Sequence, residues 1–508
     1  MKIQIHDFGP IRHFECDLDK DLHLIVGENN VGKSYGITVV YLLVKALMES
    51  RKDLDSMRFL HERATLLPED VFDKVSALNV GDKIDIGDIF REEITGLLKN
   101  TLLKRFRDYI GETYGPVDHV ANKFSGEFPR IKLTFGDTGI DIGVAEPKKV
   151  LDVKGLPIGN GVTARCVEEE NRVPDYQADN IVIYHDSRDY ERFKAGFIVA
   201  CAHFVENMLK DAIGGIGGIH FLPASRSAAY QVLPALSESR IFPNADDKNK
   251  REDERMLPED ELIKNPTTKI QDGFINTFEA AIKFSNIPTP LNDYFHELSK
   301  IKPVKNSQGN DPIHGIVKGI EREILGGRVE FDGETQQMFY TPRGTDLRLD
   351  VDGVSSMVSE LSPLVAFLRH IAAGPRTTVQ TSSLDMRKED GPSKTFVFME
   401  EPEAQLHPVN QVRLMSAFAA LIFAADVKIF LTSHSNYLFT KLNNLILAGE
   451  IDVDTVEAHV FKSSEMGSEA ISMAVDKFGI DGENFVDLAE ELYKEKLDLM
   501  ERVNADVE

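Results

Sequence analysis

Gly27-Glu28-Asn29-Asn30-Val31-Gly32-Lys33-Ser34 fills every fixed position of the phosphate-binding pattern G-x-x-x-x-G-K-[S/T]. The run before it, Leu22-His23-Leu24-Ile25-Val26, reads as a short buried strand, and Ile37 to Leu47 after it is apolar at helical spacing. Strand, loop and helix are the setting such a loop needs. Gly27 and Gly32 let the backbone turn so that successive N–H groups converge on phosphate oxygens, and the opening helix adds the positive end of its dipole. Lys33 is then placed for the β- and γ-phosphates and the Ser34 hydroxyl for Mg²⁺. The bland alternative is a glycine turn with a surface lysine.

A second element lies far downstream. Thr395-Phe396-Val397-Phe398-Met399 is a continuous apolar strand followed by Glu400-Glu401-Pro402-Glu403-Ala404-Gln405-Leu406-His407-Pro408. A buried strand ending in two acids fits a Walker B element, with Glu400 assigned to the metal and Glu401 to the base that polarises the attacking water. Val427 to Leu431 reads as another buried strand and ends in Thr432-Ser433-His434-Ser435.

The order of these motifs, with Asp7-Phe8-Gly9-Pro10-Ile11 ahead of the loop, resembles the RecF, SMC and OLD (overcoming lysogenisation defect) group of ABC-type ATPases. The resemblance covers roughly residues 1 to 50 and 345 to 447, and E-E-P-E-A-Q-L-H-P is its most specific piece. It implies an α/β fold: an ABC-type P-loop ATPase head, a mixed sheet with flanking helices, carrying a large, mainly helical α+β insertion. It implies ATP and Mg²⁺ as ligands and His434 as the switch histidine. Arg12 falls on a segment that borders the adenosine in that group, against the plainer reading of a hairpin surface position. ABC-type sites are completed across a dimer, so a homodimer or higher homo-oligomer is expected, with a trans signature at Ser355-Ser356-Met357-Val358-Ser359-Glu360-Leu361. That segment lacks the glycines that follow serine in the ABC pattern. Ser355 and Ser356 can still aim hydroxyl and N–H groups at a partner's γ-phosphate, or simply cap a helix running from Leu361 to Ala372. The run Leu222-Pro223-Ala224-Ser225-Arg226 also occurs in the OLD-like group, which makes Arg226 a candidate for phosphate contact or subunit signalling, or a buried ion-pair partner.

With 508 residues, 83 acids and 58 bases, the chain carries a net charge of −25. That balance argues against general affinity for DNA or anionic membrane. Cys16, Cys166 and Cys201 are far apart without metal spacing, and no signal peptide or membrane-spanning run is read, so a cytoplasmic protein is expected. The domain reading is an ATPase core from 1–50 and 345–480, an insertion over 51–344 that completes the lobe and forms an interaction subdomain, and a C-terminal helix over 481–508. Within the insertion, spacing predicts one long helix over Ile86 to Ile110 with a basic outer face of Arg91, Lys99, Lys104, Arg105 and Arg107. Strands are expected at Arg130 to Phe135 and Asn180 to Tyr184, a helix at Phe193 to Ile213, and a flexible turn at Gly214 to Gly218. A charged arm is expected over Arg240 to Lys269, helices at Phe274 to Phe284 and Ile313 to Leu325, and short strands between Arg328 and Leu349. A polar loop follows from Gly374 to Lys394. Glu457 to Phe461 reads as an edge strand and Asn484 to Val503 as a docked terminal helix. No residue stands out as the family's γ-phosphate-sensing glutamine.

Only about seventy residues follow His434, too few for the Toprim-type nuclease domain of OLD nucleases. The chain therefore resembles the free-standing ATPase subunits of anti-phage defence systems such as PARIS and Septu, which imply a separate effector protein. The functional expectation is an ATP-switched sensor and scaffold. The alternatives are a RecF-like DNA-repair ATPase and a nucleotide-dependent scaffold with little turnover.

Overall fold

A computed structural model describes residues 1–54, 394–481 and 493–500 throughout, and 73–238 and 287–372 with short breaks. One sheet of eleven strands organises it. In chain order these are β1 (Lys2–Phe8), β2 (Ile11–Asp17), β3 (Leu22–Gly27), β4 (Arg130–Phe135), β5 (Thr138–Ala145), β6 (Val150–Gly155), β7 (Ile216–Leu222), β8 (Lys394–Glu400), β9 (Val427–Ser433), β10 (Val456–Ser464) and β11 (Gly467–Met473). Across the sheet they run β7-β8-β9-β3-β10-β11-β2-β1-β4-β5-β6. The block from β7 to β10 is parallel throughout, β10 and β11 pair antiparallel, β11 joins β2 in parallel, and β2, β1 and β4 to β6 follow antiparallel.

The parallel strands are near-continuous apolar runs because helices cover both faces. Side chains alternate between two cores: Phe396 and Phe398 enter one, Val397 and Met399 the other. The first core receives α1 (Lys33–Leu54), α2 (Gly87–Asn100), α3 (Leu102–Tyr114) and α4 (Tyr190–Ile213). The second contains α6 (Thr289–Ser299), α7 (Pro312–Ile320), α8 (Ser356–Phe367), α9 (Pro408–Ala424) and α10 (Asn436–Leu447), with Ala229 and Tyr230 of α5 (Arg226–Glu238). A small sheet of Gly327–Asp332, Gln337–Pro342 and Leu349–Asp350 packs beside α8. Among the described residues no helix is long and apolar enough to cross a membrane.

Several expectations are corrected. The helix foreseen over Ile86 to Ile110 is two, broken at Thr101, whose backbone leaves the helical region (φ −106°, ψ −88°) while its hydroxyl donates to Leu97 O. The basic outer face is largely tied up locally: Arg91 pairs with Asp88, Lys99 with Asp152 and Arg105 with Glu49. The glycine run read as a turn feeds directly into β7 from Ile216. Glu457 to Phe461 lies not at an edge but inside β10, between β3 and β11. The signature helix starts at Ser356 rather than Leu361 and ends in a π-helical turn over Leu368–Ala372. The insertion contributes β4 to β7 to the main sheet. The charged arm, the helix at Phe274 to Phe284 and nearly all of the loop at Gly374 to Lys394 lie outside the described residues; of the terminal helix, 493–500 is helical.

Candidate active site

Parallel pairing brings the motifs together. In register, Glu400 stands opposite Thr432, Ser433 opposite Val26, and Leu222 opposite Met399, so the loops leaving β3, β7, β8 and β9 share one edge of the sheet. Ligands of open α/β sheets gather at such carboxyl ends. After β3 the chain takes up Gly27 at φ +146°, Asn30 at φ +64° and Gly32 at φ +92° before α1 begins at Lys33. A Cβ on Gly27 would meet Phe461 O at 2.6 Å, so this position needs glycine for space as well as for torsion. Lys33 is buried, and its Nζ donates to Gly27 O (3.0 Å) and Glu28 O (2.5 Å), curling the loop around the ammonium. Burial lowers its pKa, while Glu401 and Glu403 act in the opposite sense. Glu28, Asn29 and Asn30 are exposed along the loop and Val31 is buried beneath it. Pro10 and Ile11 abut Gly32, and Arg12, next along β2, is ion-paired to Asp7 at 3.0 Å.

Glu400 turns toward the loop. Its carboxylate accepts the Ala224 N–H at 3.2 Å and is hydrogen-bonded to the Ser34 side chain; desolvation raises its pKa against both of these bonds. Glu401 has φ +43°, a left-handed backbone that costs about 1–3 kcal/mol in a non-glycine residue. It is held there by its N–H, which donates to Thr432 O at 3.0 Å. The Glu401 carboxylate lies 3.4 Å from His434 Nε2, with the two side chains 40% and 31% exposed. The proposed base and switch residue are therefore neighbours that face outward.

Two positioning residues complete this edge. Glu403 accepts from the Ser433 hydroxyl at 2.6 Å and from the His434 N–H at 2.9 Å, fixing the turn that presents His434. Ser435 then caps α10 by accepting from the N–H groups of Tyr437 and Leu438, both at 3.1 Å, as its hydroxyl bonds Gln411. Sequence reasoning passed over Glu403 and Gln411; the third acid of E-E-P-E stood in view, but its partner is thirty residues away. Arg226 is 1% exposed and spends its guanidinium on protein: Nε donates to Glu360 O (3.2 Å), Nη1 to Pro223 O (3.3 Å) and Glu400 O (2.9 Å), and Nη2 to Glu401 O (3.1 Å). The Glu360 carboxylate lies 3.9 Å from Nε. The side chain does not face phosphate here. It joins the backbone of Glu400 and Glu401 to α8.

Ser355 takes the N-cap position of α8, yet its side chain makes no capping bond, and Ser355 and Ser356 are both exposed. Their hydroxyls are thus presented outward at a helix N-terminus.

Residues 225–439 match the family model described as an AAA ATPase domain. The fold is α/β, one mixed sheet with helices on both faces. The matched span runs from the residue before Arg226 through both acids of β8 and the His434 turn, and the phosphate-binding loop stands outside it. No curated protein matches the chain. Among solved structures, an SMC head bound to the C-terminal winged-helix domain of ScpA is 10% identical, with 94% of this chain and 98% of that one covered and a TM-score of 0.35. An Smc head with an extended coiled coil, bound to the C-terminal domain of ScpA from Pyrococcus furiosus, is 10% identical over 99% and 98%, TM-score 0.34. The SMC head domain of Thermotoga maritima is 7% identical over 93% and 98%, TM-score 0.33.

Proposed function

We propose that this chain binds and hydrolyses ATP at the 27–34 loop and serves as a nucleotide-switched sensor and scaffold that holds or regulates a separate effector, in a bacterial anti-phage system. The observation that carries the catalytic part is the Glu401–His434 contact on the edge shared with the loop. Loop N–H groups and Lys33 receive the phosphates. Ser34 and Glu400 set two hard oxygen donors in contact, a pair that suits Mg²⁺, which when bound would offset phosphate charge. Glu401 takes the proton of the attacking water, and His434 stands beside it to sense the γ-phosphate. Ser355 and Ser356 complete the site of a second copy, so ATP closes a homodimer or higher homo-oligomer and hydrolysis reopens it.

Phosphate release and mass photometry, with and without ATP and Mg²⁺, test this. Wild type turns over; Glu401→Gln loses about 10²- to 10⁴-fold in turnover and accumulates as an ATP-bound assembly; Lys33→Ala neither binds nor assembles. Binding without turnover in the wild type, unchanged in Glu401→Gln, would support the low-turnover scaffold instead.

One observation favours the DNA-ATPase alternative. A cleft of about 1050 Å³ between α7 and the 327–342 hairpin is lined by six lysines and arginines, among them Lys318, Arg328, Arg343 and Arg369, against three acids. Arg322, Arg328, Arg348 and Arg369 are ion-paired with Glu323, Glu330 and Glu321, so in a chain of charge −25 it is chiefly Lys318 and Arg343 that make this cleft suit a phosphate backbone. Fluorescence anisotropy of a labelled duplex across a salt series separates the readings: steep salt dependence, lost in Lys318→Glu/Arg343→Glu, would favour DNA.

A further inference from the structure

At the end of β3 away from the phosphate loop, three ligand-type side chains converge. Cys16 is the penultimate residue of β2, and His23 and Glu457 are the second residues of β3 and β10. His23 Nδ1 lies 2.9 Å from Glu457 Oε2 and 3.7 Å from Cys16 Sγ, and the ligating atoms all lie within 4.8 Å of one another. Cys16 and His23 are almost fully buried. No ligand spacing shows in the sequence because the third member arrives 434 residues after the second.

The hydrogen-bond inventory does not close on its own. His23 Nε2 faces Lys20 O at 3.3 Å and Nδ1 faces the Glu457 carboxylate at 2.9 Å, both of them acceptors, while a neutral ring carries one proton. With that proton on Nδ1 the short contact to Glu457 is a hydrogen bond and Nε2 is left against Lys20 O; with it on Nε2, Nδ1 is a lone pair beside a carboxylate oxygen that already accepts the Asp17 N–H at 2.9 Å. In either neutral tautomer one ring nitrogen is set against an acceptor, and a second proton on the ring or a cation among the three atoms relieves it.

We propose that Cys16, His23 and Glu457 form a Zn²⁺ site that pins β2 and β10 to the strand carrying the phosphate loop. A thiolate, an imidazole and a carboxylate are the donors Zn²⁺ takes. Zinc–nitrogen and zinc–sulfur bonds of about 2.0 and 2.3 Å at a tetrahedral angle set the two donors about 3.5 Å apart, near the 3.7 Å observed, while the 2.9 Å between His23 Nδ1 and Glu457 Oε2 would open to about 3.3 Å around the ion. Two of the three ligands already have the outer partners that orient metal ligands: Lys20 O on the far nitrogen of His23, and the Asp17 N–H on Glu457. The Phe430 ring, stacked 3.9 Å from that of His23 and 7° from parallel, fixes the imidazole plane. Three protein ligands leave a fourth position for water.

The test is optical titration of the chelator-stripped full chain with Co²⁺, which reports thiolate ligation directly. One equivalent should bring up the thiolate-to-cobalt charge-transfer band with tetrahedral d–d bands, and Zn²⁺ should displace both. Cys166→Ser and Cys201→Ser should retain the charge-transfer band and Cys16→Ser should lose it. Glu457→Gln, which keeps the side-chain shape, should weaken Co²⁺ binding at least ~10-fold and so supports the site even where Cys16→Ser folds poorly. Failure of folded wild type to develop the band, or its persistence in Cys16→Ser, overturns the site. Nitrogen NMR showing both His23 ring nitrogens protonated with Zn²⁺ in excess would assign the cluster to an imidazolium–carboxylate pair and overturn it as well. The cluster stands apart from the nucleotide loop, so neither result bears on ATP hydrolysis.

Discussion

Arg226 donates to carbonyls of Pro223, Glu360, Glu400 and Glu401 from one nearly fully buried guanidinium. Removing it strips one buried and three half-buried carbonyls of a donor and leaves the Glu360 carboxylate, 3.9 Å away, without its charge partner. The expected cost for Arg226→Ala is about 3–5 kcal/mol in urea unfolding. Arg226→Lys is the more informative change. One ammonium cannot span acceptors on three segments, so the protein should fold, bind ATP with near wild-type affinity and lose turnover, because the left-handed Glu401 keeps its N–H bond to Thr432 O but loses the donor on its carbonyl. Turnover equal to wild type in a folded Arg226→Lys would reduce the residue to a packing role. The sequence offered this residue three roles, of which the geometry takes the buried partner. What could not be read was its set of partners, because carbonyl acceptors leave no mark in a sequence. Gly27, Lys33, Ser34 and the two acids could be proposed from the sequence for the opposite reason: a phosphate-binding pattern restricts residue type as well as position, and the sheet sets these residues on one edge.

At the scale of elements, period and apolarity revealed the buried strands β3, β8 and β9, but position within the sheet was not in the pattern. Glu457 to Phe461 reads as an edge because charge and histidine interrupt it; it is interior because Glu457 and His459 are satisfied or covered by neighbours from β2 and β3. The two-helix break at Thr101 was hidden by apolar spacing that continues across it. The end of α8 supplies a prediction of its own. His370 sits in the π-helical turn, and burial, then Arg369 and His314, push its pKa down to about 4. Its folded value lies below the ordinary ~6.5, so its share of stability is complete above pH ~6.5 and is lost as pH falls toward 4. Urea midpoints should therefore drop between pH 7 and pH 5. His6 and His459 are also lowered by burial and act in the same direction. The difference between wild type and His370→Gln isolates this one group: the fall should be shallower in the variant, and parallel curves would refute the assignment.

For the whole molecule, the question is what the exposed N-terminus of α8 faces. Ser355 holds a cap position without making a cap bond, and Arg226 ties the same helix, through Glu360, to the backbone of Glu400 and Glu401. A contact made at Ser355 and Ser356 by a second copy would thus be transmitted to the edge that carries the proposed base, over a path of packed and hydrogen-bonded groups. If the sites are composite, each needs one copy's Lys33 and the other copy's serines. Lys33→Ala and Ser356→Arg chains should each be inactive alone, the second still binding ATP. Mixed, they form heterodimers in which the intact loop of one meets the intact serines of the other, so part of the phosphate release should return, together with ATP-dependent dimers in mass photometry. Recovery that rises with the fraction of mixed dimers is the expected result. A Ser356→Arg chain that keeps full turnover alone, or a mixture that stays silent while dimers form, would remove α8 from the catalytic contact and leave the site to be completed by another surface.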